Sequence, residues 1–208
     1  MKRILIFILG LSLHANLIQA QTFDEDWAAY IAKLKDRKGG YTVQVKLRAI
    51  DSEGKPDHTV EPEGSVKIWG QDHYMSSFNK MIYLVTPEWH IIVDKGHKKI
   101  IVKSLQNVKK KPEAFEKPVP SSQKVEKTGN GYRFTLANGG SCQTSFSDGL
   151  LSRVVYENTG GMKRTEITYT YQEADLGKQD FSEDIYIRKE KNEWKTQPAY
   201  SDYKLIIN

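Results

Sequence analysis

Trp27, Tyr30, Ile31 and Leu34 recur at helical spacing and give one apolar face to an otherwise polar segment. Thr22 and Glu25 have the spacing of a capping box. Lys33, Lys35, Arg37 and Lys38 suit a C-terminal end, where the helix dipole favours cations. Gly39-Gly40 ends the helix. From Tyr41 the period changes to two: Val43, Val45, Leu47 and Ala49 alternate with Thr42, Gln44, Lys46 and Arg48, the pattern of a half-buried strand. Further strands are expected at Val66–Trp69, His73–Phe78, Met81–Thr86, Trp89–Val93 and Lys99–Leu105, after a polar loop over Ser52–Pro62. The Pro-rich stretch Val108–Gln123 reads as a long connection. The alternation then resumes in Lys124–Thr128, Tyr132–Ala137, Ser141–Ser147, Leu150–Glu157 and Lys163–Tyr171. Asp148-Gly149 between Phe146 and Leu150 is the sharpest hairpin signal, because a type I′ turn needs positive φ at both central residues. The tail adds strands at Ile185–Arg188 and Tyr203–Ile207.

One helix followed by about ten or eleven strands in meander order predicts a mainly β fold, since so long a sheet must twist and curl. We expect an open half-barrel, a curled antiparallel sheet with the N-terminal amphipathic helix on its concave face. The composition fits: 38% of the 208 residues are hydrophobic and 27% charged, with 11 Tyr and 4 Trp to fill a core, which argues against disorder and against many membrane spans. A single cysteine excludes a disulfide scaffold and a multi-cysteine zinc site.

The N-terminus changes the picture of the compartment. Lys2 and Arg3 precede an apolar run from Ile4 to Leu13, too short to span a bilayer, and Ile18-Gln19-Ala20 offers a cleavage site. Residues 1–20 are expected to be a signal peptide cleaved after Ala20, leaving a single domain over 21–208, exported to the periplasm and not membrane-spanning after cleavage. Without Lys2 and Arg3 the net charge falls from +5 to +3. Lys109-Lys110-Lys111 lacks interleaved aromatics, so it reads as a solvated linker and no nucleic-acid partner is expected.

Candidate chemistry is sparse. Cys142 shares a face with Thr144 and Phe146, the setting of a small core residue. His58, His73, His90 and His97 match no common metal spacing, although His73 and His90 begin strands that a sheet can bring together. Asp24 to Asp26 reads as helix N-terminal charge. Gly139-Gly140 and Gly160-Gly161 precede strands, so they are turns and not phosphate cradles. The expectation is no catalytic residue, no metal and no cofactor, and hence no enzyme. Trp69, Tyr74, Met75, Phe78, Met81, Tyr83 and Trp89 form the densest aromatic and sulfur cluster, either a ligand lining or ordinary core. Trp69 alternates with Ile68 and is also a candidate outer-surface contact.

This order of elements resembles the periplasmic lipoprotein-carrier superfamily with the LolA/LolB-like fold. The likeness rests on Tyr41-Thr42-Val43-Gln44-Val45-Lys46-Leu47, Gly64-Ser65-Val66-Lys67-Ile68, His73-Tyr74-Met75, Met81-Ile82-Tyr83 and the hairpin from Trp89 to Ile101, within about Tyr41–Val102. The carrier's Arg-Pro pair after the second strand is absent from Ile68-Trp69-Gly70-Gln71-Asp72, and its first-strand arginine has only Lys46 or Arg48 as a counterpart. The resemblance implies a hydrophobic hollow that binds a lipid, a lipoprotein acyl chain or another apolar ligand. Its lining would be Val45, Leu47, Ile68, Met75, Tyr83, Trp89 and Ile91, with Trp27, Ile31 and Leu34 as a helix lid. The alternative is a cell-envelope interaction or structural module with a filled core and a membrane-protein partner; a small hydrolase ranks third.

Overall fold

The structure, a computed structural model, describes residues 23–57, 63–106, 117, 122–159, 161–191 and 193–208. The expected signal peptide, Thr22, His58 and nearly all of the Pro-rich stretch lie outside the described residues. Helix α1 covers residues 23–36. The strands are β1 (Tyr41–Asp51), β2 (Glu63–Trp69), β3 (His73–Phe78), β4 (Met81–Val85), β5 (Trp89–Asp94), β6 (Lys99–Ser104), β7 (Ser122–Thr128), β8 (Gly131–Leu136), β9 (Ser141–Ser147), β10 (Leu150–Thr159), β11 (Met162–Glu173), β12 (Ile187–Glu190), β13 (Glu193–Thr196) and β14 (Lys204–Ile207).

Twelve strands form one sheet in the order β14-β6-β5-β4-β3-β2-β1-β11-β10-β9-β8-β7, and β12 pairs with β13 separately. The fold is therefore mainly β with one described helix, and the sheet is not closed into a barrel: β14 and β7 are its ends. Two features depart from a meander. β11 returns to the flank of β1. β14 pairs with β6 in parallel, Leu205 opposite Ile100.

The chain divides into two compact units. The first comprises Met1–Lys33, Leu47–His58 and Lys117–Tyr169; the second comprises Leu34–Lys46, Thr59–Glu116 and Thr170–Asn208.

In the first unit α1 lays its aromatic stripe on β8 and β9. Phe23 meets Tyr132 and Phe134 edge-on, with ring centroids 5.1 and 4.7 Å apart. Tyr30 reaches Phe146 at 6.3 Å. The Tyr132 hydroxyl donates to the Asp26 carboxylate at 2.5 Å, which anchors the helix by a polar contact at the edge of this apolar layer. Asp148 and Gly149 have φ of 51° and 71°, as the β9–β10 type I′ turn requires, and the Lys33 ammonium donates to the Asp148 carbonyl. Cys142 and Thr144 are fully buried on the helix-facing side of β9. Burial pushes the Cys142 thiol up to about 12, against the opposing pull of its hydrogen bond with Tyr156, so the thiol is inert at neutral pH.

In the second unit the core is a sheet face covered by the protein's own C-terminal segment. Ile82, Leu84, Ile91, Val93, Ile100 and Val102 pack against Phe181, Tyr186 and Ile187. Two short 3-10 turns, Lys178–Phe181 and Glu183–Ile185, lead into β12. The first is held by the Gly177 N–H donating to the Asp180 carboxylate at 2.9 Å. Gly40, with φ of 71°, takes the chain out of α1 so close to β2 that an added Cβ would lie 2.1 Å from the Ile68 carbonyl oxygen.

Candidate functional site

Side chains alternate along each strand, so the β2–β6 register sorts the second unit into two faces. Lys67, Met75, Leu84, Ile91 and Val102 are successive cross-strand neighbours. This is the filled face. Tyr186 donates its hydroxyl to the Met75 sulfur at 3.3 Å. Trp69 stacks on Phe181, centroids 6.4 Å apart and 16° between the planes, and Trp89 meets Trp194 edge-on at 5.6 Å.

Val43, Val66, Ser76, Tyr83, Ile92, Ile101 and Ile206 are successive neighbours on the opposite face. A parallel row runs from Val45 past Gly64 to Phe78 and Met81. Near β1 and β2 this face is buried at Tyr41, Val43, Val66 and Ile68. Towards β14 it opens: Phe78, Met81, Tyr83, Ile92, Ile101 and Ile206 are all only half-buried. This partly exposed apolar end is not covered by the C-terminal segment, which packs on the other face.

The expected lining is thus divided. Val45, Ile68 and Tyr83 lie on the open face. Leu47 has the same parity on β1 as Val45, but belongs to the first unit. Met75, Trp89 and Ile91 lie on the filled face, against the C-terminal segment. Of the lid residues, Trp27 and Leu34 are buried and Ile31 is half-buried. Trp69 is not an outer-surface contact, because Phe181 and His73 flank its ring and its indole N–H donates to the Lys38 carbonyl at 3.0 Å. Sequence reasoning missed Phe78, Met81, Ile92 and Ile101 as one surface, since only the register shows that they align. It also missed β13, although Trp194 and Thr196 alternate with Glu193 and Lys195.

His73 and His90 do not meet. His73 packs on Trp69 and Phe181 on the filled face, and His90 lies beside Tyr83 on the open one. Burial is the main cause that lowers both pKa values; at His90 the Lys103 ammonium adds to it, while at His73 Lys178 adds to it and Asp72 opposes it. The open face therefore carries a neutral imidazole at neutral pH. Asp94 is taken up by the His97 backbone N–H at 2.9 Å and the His97 ring at 2.7 Å, and these bonds hold its carboxyl below the usual range. Among the described residues no three His, Cys, Asp or Glu side chains gather as metal ligands. The polar grooves lie elsewhere. One of about 200 Å³ is lined by Arg48, Ile50, Arg164 and Glu166, where Glu166 is already bound to Arg153 at 2.8 Å and Arg164 at 3.2 Å.

No family model matches the sequence, and no curated protein is similar to it in sequence. The structure is similar to that of an uncharacterized conserved protein from Thermus thermophilus, with a TM-score of 0.52 at 9% identity, over 90% of this chain and 99% of that one. The two share a fold. It is also similar to a LolA superfamily protein from Nitrosomonas europaea, with a TM-score of 0.42 at 10% identity, over 78% of this chain and 98% of that one.

Proposed function

We propose that this is an exported, non-enzymatic binding protein that takes up a lipid, a lipoprotein acyl chain or another apolar ligand on the open face of β1–β6. One observation carries the reading: the C-terminal segment fills one face of this sheet, while Phe78, Met81, Tyr83, Ile92 and Ile101 on the other remain half-buried. A sheet of this kind is stable with one face packed, so the second apolar face is not required by the fold. Burying an alkyl chain there gains about 0.8 kcal/mol per CH₂, and aromatic and methionine side chains adapt to chains of different shape. Export follows from the reading of residues 1–20.

Native mass spectra of the secreted chain, recovered without detergent, test the proposal. A reproducible adduct of lipid mass is expected in the parent protein. It should be lost in Val45→Asp and kept in Ile207→Ser, whose side chain is 47% exposed on the other face, with circular dichroism confirming that both variants fold. A clean apo mass with no uptake of added lipids would overturn it.

A further inference from the structure

The open face is not uniformly apolar, and where its charge lies narrows the ligand. On β6, Lys99, Ile101 and Lys103 share this face, and on β14 Lys204 and Ile206 stand beside Lys99 and Ile101. All three lysines are exposed and make no ion pair among the described residues. Asp94, the cross-strand neighbour of Lys99, is already engaged by His97, and Lys98 is paired with Asp202. At the β14 edge, therefore, an apolar strip one residue wide runs between ammonium groups, three cations against the single Asp94 carboxylate that His97 holds. Lys99 and Lys103 stand about 13 Å apart along β6, at about 3.3 Å per residue, with Ile101 midway. Inward from this edge the strip continues over Ile92 to Tyr83, about 14 Å away at about 4.8 Å per strand, and no further cation follows on it.

We propose, resting on the reading above, that the ligand is a single-chain fatty acid. Its carboxylate sits among Lys99, Lys103 and Lys204, and its alkyl chain runs inward over Ile101, Ile92 and Tyr83. Lysine suits this role, since its ammonium is a mobile point charge on a stem that lies along apolar surface. A two-chain lipid would have to lay its second chain across the lysine rows.

The test compares oleate with oleyl alcohol, the same chain without the charge, on the delipidated full chain by calorimetry. Oleate should bind more tightly and weaken as salt is raised. The combined Lys99→Gln, Lys103→Gln and Lys204→Gln variant should weaken oleate about tenfold while leaving oleyl alcohol within about twofold. Equal binding of both ligands, unchanged in the variant, would overturn the fatty-acid assignment and leave the apolar-ligand reading standing. Tighter binding of dioleoyl phosphatidylglycerol than of oleate would overturn it in favour of a two-chain lipid. Failure of every ligand to bind would overturn both.

Discussion

His73 and His90 face opposite sides of one sheet, yet they respond to pH alike. Each has its pKa lowered from 6.5, in both cases chiefly by burial. A lowered value means that the folded state binds the proton less tightly than the unfolded chain does. Stability is therefore full above about pH 6.5 and declines as the pH falls through the folded values. The carboxylates with lowered pKa, such as Asp94 and Glu166, lose their contribution only below their ordinary range near 4. The window from pH 8 to 5 thus isolates the histidines. The urea midpoint of the parent protein should fall across this window, and the double variant His73→Gln, His90→Gln should flatten the dependence. An identical slope in the double variant would show that other groups are responsible.

At the scale of elements, the segment that leaves β11 decides which face of β2–β6 is core. Phe181 is 1% exposed between Trp69 and the β4–β6 side chains. Phe181→Ala should cost about 3–5 kcal/mol, a fall in melting temperature on the order of 10 °C for a chain of this size. Ile185→Ala, four residues on and 39% exposed, should stay within about 0.5 kcal/mol. Comparable shifts in both variants would mean that Phe181 does not anchor the segment. The strands themselves were legible, because period-two alternation and paired turn residues are local: Ser141–Ser147 is found as expected, and Asp148-Gly149 turns as its chemistry demands. The C-terminal cover was not legible. Phe181, Tyr186, Ile187 and Trp194 follow no single period, and they are joined by 3-10 turns whose partners lie about a hundred residues away. For the same reason the candidate lining was assigned across both faces. Alternation says that Met75 and Tyr74 point apart, but not which of them meets the C-terminal segment.

For the molecule as a whole, the chain path matters more than the count of strands. Neither compact unit is a continuous stretch of sequence; each takes three segments. β1 belongs to the second unit up to Lys46 and to the first from Leu47, and β11 passes between the units after Tyr169. Both strands run through the boundary without a linker, so releasing one unit also frees ladder positions at the end of the same strand in the other. Unfolding should therefore be cooperative although the chain exceeds the length at which two-state behaviour is usual. In urea, far-ultraviolet circular dichroism and tryptophan fluorescence should trace one coincident transition, since Trp27 lies in the first unit and Trp69, Trp89 and Trp194 in the second. Phe134→Ala, which removes a ring 1% exposed in the first unit, and Phe181→Ala in the second should each move that single transition by about 3–5 kcal/mol. Two resolved transitions, each shifted by only one of the substitutions, would show that β1 and β11 do not couple the units, and that ligand uptake on the β1–β6 face is to be sought in the second unit by itself.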